Sequence, residues 1–214
     1  MKFYDVTMSI HESMMVYKDK AEKKPVFNTS TNGHVTETKI TMDAHTGTHI
    51  DSPLHMINEG DTFETIPLDR FITKCKVLDL TTVEDGITAR HLKPFEIEQN
   101  DFLVLKTTNS FHEKNEFDHE FVYLKEDGAK YLIDKGIKGV ATDGLGIERS
   151  QPDHGTHRSL FKEKIVIMEG FSLKDVPQGE YLMIAAPIKV TGIEAAPARV
   201  FLVEGMEDID VQFA

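Results

Sequence analysis

A chain of 214 residues with 40% hydrophobic and 28% charged side chains carries enough apolar material for one sizeable core, which sets aside disordered and collagen-like classes. Its 36 acidic side chains against 24 basic ones give a net charge of −12, which speaks against nucleic acid as a partner, because phosphate contacts need clustered Lys and Arg. No Pro/Gly/Ser-rich linker or charge block divides the chain, so one domain over residues 1–214 is expected.

In chain order, "MKFYDVTMSIHE" places Asp5 and His11 where a signal peptide would be apolar. No later run approaches the roughly 18 apolar residues of a membrane span, so a cytoplasmic protein without membrane attachment is expected. "FYDVTM" reads as a strand, and the segment 11–34 after it is poor in apolar residues, extended, and free to reach a neighbouring subunit. A second strand, "VTETKITM", runs towards "HTGTHIDSPLH" (45–55), where Gly47 permits a tight turn and Pro53 stiffens the exit. That puts a histidine-rich stretch where a strand ends and a loop begins, the place where α/β folds carry chemistry. "KCKVLDL" is a strand in which the lone Cys75 packs as a small hydrophobe. "TARHLKPF" opens a helix behind a Thr88 cap, and "DFLVLKT" is again a strand. In "EDGAKYLIDKG", Ala129, Leu132 and Ile133 fall at helical spacing before Gly136 stops the helix, and "KGVATD" follows as the strand of a βαβ step. "SQPDHGTHRSLF" fits a short helix capped by Asp153, with His154 and His157 one turn apart. "KIVIMEG", "YLMIAAP" and "ARVFLVEG" complete the strands of an α/β fold with a mixed sheet and packed helices, without internal repeats.

Three histidines and an aspartate within eleven residues would be costly to bury unpaired. His49 and Asp51 share a face if the chain there is extended, and His45 lies four residues before His49. Imidazole nitrogens and a carboxylate are the ligands of Zn²⁺ or Mn²⁺, and a carboxylate can bridge two ions. Two histidines and one aspartate make an incomplete site, so further ligands are expected downstream. His154 and His157 lie there, and Glu169 ends the apolar strand "KIVIM", either exposed at its end or recruited by a cation. His11, His34, His91, His112 and His119 stand apart and read as surface or hydrogen-bonded groups.

"HTGTHIDSPLH" fits the H-x-G-T-H-x-D-x-P-x-H signature of the metal-dependent cyclase and bacterial kynurenine formamidase family at every specified position, and the chain resembles that family over almost its whole length. "YDVTMSIHESMMVY" resembles the family's first strand and following loop, "GVATDGLGIE" its later strand ending in an aspartate, and His157 to Glu169 keep the spacing of two downstream ligands. The resemblance implies a swivelling β/α/β fold forming one metal-dependent hydrolase domain. It also implies that His45, His49 and Asp51 bind one ion, that Asp51 bridges to a second ion held by His157, and that Glu169 contacts both. His55 would be the catalytic proton carrier, and the cofactor two Zn²⁺ per subunit, with Mn²⁺ as the alternative. His154 is not picked out by the family spacing.

The implied reaction is arylformamidase-like hydrolysis of a small amide, with N-formylkynurenine as leading candidate. A metal-activated water attacks the amide carbonyl, and His55 passes a proton to the departing amine. The alternatives are isatin hydrolase-like opening of a cyclic amide and a catalytically silent metal- or ligand-binding module, against which the intact His55 weighs. Formamidase members carry a Trp-Pro-Gly-Asp type stretch in the first loop. Here the chain has no Trp and reads "MMVYKDK", so Tyr17 takes the place of a substrate-binding aromatic wall and Lys18 breaks the pattern. "KTTNSF" (106–111) stands where relatives have a Thr-Gly-Trp run, and both departures are expected to shape the pocket. Because relatives associate through sheets and long arms, a homodimer or homotetramer is implied.

Overall fold

The computed structural model describes residues 1–112 and 116–206; the remainder of the expected 1–214 domain lies outside the described residues. In chain order its strands are β1 (Lys2–Asp5), β2 (Val26–Asn32), β3 (Val35–Thr41), β4 (His49–Asp51), β5 (Ile72–Asp79), β6 (Gly86–Ile87), β7 (Phe102–Lys106), β8 (Tyr123–Leu124), β9 (Gly139–Thr142), β10 (Val166–Glu169), β11 (Gly179–Pro187) and β12 (Ala195–Glu204). The helices are α1 (Ala89–Leu92), α2 (Glu126–Lys135) and α3 (Gly155–Lys162).

Strands β5, β7, β9 and β10 are parallel neighbours, with α1, α2 and α3 in the successive crossovers. Every residue of β7, β9 and β10 is buried, which explains why these strands read as continuous apolar runs. Alternation still sorts their side chains. Phe102, Val104, Ala141, Val166 and Met168 join one core cluster, whereas Leu103, Leu105, Val140 and Ile167 join a second cluster with Leu132 and Leu160 of the helices. Strands β11, β12 and β1 extend the sheet antiparallel. β4 then pairs with β10 on one side and with β12 on the other, so seven strands close into a barrel-like ring. Ile50 of β4 points into the first cluster with the inward residues of β12, leaving His49 and Asp51 on the helical face beside Ile167 and Glu169.

Two expectations change. The strand in "VTETKITM" exists as β3, but among the described residues it pairs only with β2, in a ribbon whose cross-strand hydroxyls meet at Thr29–Thr38 (2.8 Å) and Thr31–Thr36 (2.9 Å). It does not deliver the histidine stretch from the main sheet. Residues 49–51 are themselves a strand, imposed by their two neighbours because three residues are too few to declare a period. At α3 the cap position is held by His154, in the left-handed region at φ +49°, rather than by Asp153. Gln151 supplies the capping chemistry instead, its Oε1 accepting Thr156 N–H at 3.1 Å.

The other predicted elements hold. Gly136 ends α2 at φ +72°. Thr88 precedes α1, with its N–H donating to His91 Nδ1 at 3.1 Å. Cys75 is buried in β5, where burial pushes its thiol pKa up, away from reactivity. Among the described residues no helix is long and apolar enough to cross a membrane.

Candidate metal centre

The chain reaches the site through two glycines. Gly47 turns at φ +64°, and its carbonyl accepts from His49 Nδ1 at 2.8 Å, which leaves His49 Nε2 free to face the carboxylates. Gly170, at φ +74°, passes so close that a Cβ there would stand 2.6 Å from the Gly47 oxygen. Between them Thr48 donates to Gly170 O at 2.6 Å and accepts Met8 N–H at 2.8 Å, binding the first loop to the end of β10. Antiparallel register then sets Glu169 opposite His49.

The donors converge around two carboxylates. Asp51 Oδ1 lies 3.0 Å from His45 Nδ1 and 3.4 Å from His49 Nε2, while Oδ2 faces His157 Nε2 at 3.9 Å. Glu169 divides likewise, Oε2 to His49 Nε2 at 3.4 Å and Oε1 to His157 Nε2 at 3.3 Å. All five residues predicted as ligands therefore meet. His49, Asp51, His157 and Glu169 are buried, and among the described residues His49 Nε2, His157 Nε2 and both Asp51 oxygens have no hydrogen-bond partner. Buried ionisable atoms that face one another without hydrogen bonds are arranged for a cation, and an N/O donor set of this kind fits Zn²⁺ or Mn²⁺.

The paired carboxylates draw positive charge to this centre, which in the metal-free chain takes the form of protons on the facing imidazoles. Burial alone would push the His49 and His157 pKa values down. The carboxylates outweigh it, Asp51 and Glu169 lifting His49 to about 9, and Glu148 and Glu169 lifting His157 to about 10. Asp51 and Glu169 are held below the usual carboxylate range, burial being overcome by the facing imidazoles. His55 behaves differently: burial, opposed by Asp51 but reinforced by His45 and His157, keeps its pKa below the ordinary histidine value. It ends the turn Pro53–His55 with its ring against His45 (centroids 4.2 Å) and, farther off, in an edge contact with His157 (5.6 Å). It also lies close enough to His45 and Asp51 to share an ion with them.

A cavity of about 500 Å³ opens over the centre and is lined by Tyr17 among others. Tyr17 packs edge-on to Phe117 with centroids 4.9 Å apart. Lys18 and Asp19 both hold positive φ, and the Asp19 carboxylate fastens the bend by accepting Phe117 N–H at 3.0 Å. Lys18, Lys20 and Lys23 add positive charge to the lining. The expectation for "KTTNSF" is corrected, because none of residues 106–111 lines this cavity. Thr107, Asn109 and Ser110 instead donate to the buried Asp143, at 2.7–3.2 Å, and Asn109 and Ser110 face a separate cavity of about 130 Å³. Lys106 is buried, its Nζ donating to Lys174 O and Val176 O.

Two neighbours, Glu194 and Glu148, escaped the sequence reading, and a third, His154, was left without a role. Glu194 approaches His45 Nε2 at 3.5 Å from a loop with no telling pattern. His154, unassigned by spacing, lines the cavity. Glu148 touches both His154 and His157, and a carboxylate closing the apolar, glycine-bearing "GLGI" was its available signal.

The family model described as "Putative cyclase" matches residues 4–149. Among curated relatives, a kynurenine formamidase of Salinibacter ruber is 28% identical over 206 residues, covering 94% of this chain and 97% of its own length. One from Bacillus mycoides is 32% identical over 169 residues, covering 78% and 80%. Among solved structures, a potential metal-dependent hydrolase with cyclase activity superposes with TM-score 0.89 at 52% identity, covering 94% of this chain and 96% of that one. A predicted metal-dependent hydrolase from Bacillus stearothermophilus gives 0.87 at 54%, covering 94% and 97%. Isatin hydrolase A from Labrenzia aggregata shares the fold, with TM-score 0.82 at 21% identity over 94% of this chain and 93% of that one. With its signature stretch intact and the family model spanning about two thirds of its length, the chain belongs to the cyclase family.

Proposed function

We propose that this protein is a metal-dependent hydrolase of a small amide, arylformamidase-like, with two Zn²⁺ per subunit, or Mn²⁺. In this reading His45, His49 and Asp51 hold one ion, His157 a second, and Asp51 and Glu169 reach both. The observation that carries it is the division of each carboxylate's oxygens between His49 and His157. A divalent ion supplies Lewis acidity and brings the pKa of water from ~15.7 towards ~7. The chain's own contribution is the fixed, water-poor donor set and His55, a neutral imidazole at the cavity that takes up a proton and returns it to the leaving amine.

The substrate reading is a small, neutral or anionic aryl amide, with N-formylkynurenine leading. Support comes from the formamidase relatives, the Tyr17 ring in the cavity and the lysines that line it. An aromatic contact is worth about 0.5–1.5 kcal/mol beyond area burial, so Tyr17→Ala is expected to lower kcat/KM for N-formylkynurenine about 2- to 12-fold and to leave aliphatic formamides nearly unchanged. Wild-type kcat/KM for aliphatic formamides or cyclic amides exceeding that for N-formylkynurenine by about tenfold, or 1.4 kcal/mol, would remove the formamidase assignment and leave the metal chemistry.

We also propose a homo-oligomer, a dimer or tetramer. β2 and β3 form a two-stranded ribbon on which Val26, Val35 and Ile40 are 46%, 50% and 54% exposed, and such a ribbon is marginally stable in water by itself. Light scattering at micromolar concentration is expected to give at least twice the subunit mass; a monomer overturns this proposal.

A further inference from the structure

Glu148 lies beside the centre without belonging to the donor set picked out by sequence. It follows the turn after β9 and is only 5% exposed. Its Oε2 accepts the backbone N–H of His157 at 3.1 Å and lies 3.3 Å from His157 Nδ1, an ionic contact off the axis of a hydrogen bond. One carboxylate thus touches His157 at backbone and ring, through the ring nitrogen that does not face Asp51 and Glu169. Its other oxygen, Oε1, is 2.5 Å from His154 Nδ1. His154 is half-exposed and held in the left-handed region, where a residue with a Cβ sits unfavourably, with its N–H bound to Gln151 O at 3.1 Å.

A histidine that offers Nε2 to an ion carries its proton on Nδ1, and a carboxylate at Nδ1 fixes tautomer and ring orientation while raising basicity. Glu148, His154 and His157 are close enough to hold an ion of their own. That ion would take the Nδ1 that must stay protonated while Nε2 serves the central site. We propose that Glu148 is the positioning residue for His157, and that His154 latches Glu148 from the solvent side. This rests on His157 being a metal ligand.

The test is calorimetric titration of metal-stripped protein with Zn²⁺ alone, alongside thermal unfolding of each metal-free variant. Wild type is expected to bind two equivalents. Glu148→Gln should weaken one of them 10- to 100-fold and leave the other unchanged, and Glu148→Asp, which keeps the charge, should recover part of the loss. His154→Ala, at a half-exposed position, should weaken the same equivalent by a smaller factor, which keeps the proposal testable if Glu148→Gln fails to fold. Two equivalents at wild-type affinity in Glu148→Gln, or both weakened alike, overturns the positioning role. Wild type binding no Zn²⁺ is a separate result, which overturns the metal-centre reading and the inference resting on it.

Discussion

Asp51→Ala is expected to take the purified protein from two ions per subunit towards none, a larger loss than any single change at His45, His49 or His157. Each histidine faces one side of the centre, whereas the Asp51 oxygens face both: Oδ1 towards His45 and His49, Oδ2 towards His157. Removing that carboxylate leaves Glu169, among the described residues, as the one carboxylate facing both His49 and His157. Hydrolysis should fall in parallel, because in the proposed reaction the same ions would supply the Lewis acidity. Metal content by elemental analysis, set against circular dichroism to confirm folding, decides it. Full occupancy in the folded variant would refute the bridging role.

His55→Ala is expected to keep both ions and to lose about 10²- to 10⁴-fold in kcat, the usual worth of a positioned proton carrier. The geometry makes this a sharp test, because His55 stands close enough to His45 and Asp51 to act as a ligand instead. Loss of metal on the same substitution would move it into the donor set. The pH profile gives a second check. Burial, with the His45 and His157 imidazoles, holds His55 below the ordinary histidine range against the pull of Asp51, so it stays neutral until the pH falls under that range. Wild-type activity should decline only there, and the variant should lack that limb.

How much of this was legible in the chain differs from place to place. The closeness of His45, His49 and Asp51 could be read because these three candidate donors lie within seven residues, and a short spacing survives folding. His157 and Glu169 could be joined to them only through the family spacing, since nothing local says that β10 will lie beside β4. β4 itself could not be read: "HID" contains one apolar residue, and only pairing with β10 and β12 makes it a strand. The same limit misplaced β3, whose composition signalled a strand but carries no information about which partner it takes. At α3, Asp153 had the right chemistry for a cap, yet the Gln151 side chain reached the same N–H first. "KTTNSF" misled because its place in the family pattern was read as shaping the pocket, whereas its Thr107 and Ser110 hydroxyls are taken by the buried Asp143.

The three-residue strand β4 ties the ring's closure to its chemistry. Its outer residues, His49 and Asp51, belong to the proposed donor set, and its middle residue, Ile50, is fully buried in the core. An ion bound there acts as a rivet through the barrel's seam, so any affinity for the closed ring over the open one appears as fold stability. A ligand at a hundred times its Kd contributes about 2.7 kcal/mol in this way, a substantial share of what holds a typical domain together. Chelation and unzipping of the seam are then two descriptions of one equilibrium, and selection on catalysis at these positions acts on the barrel at the same time.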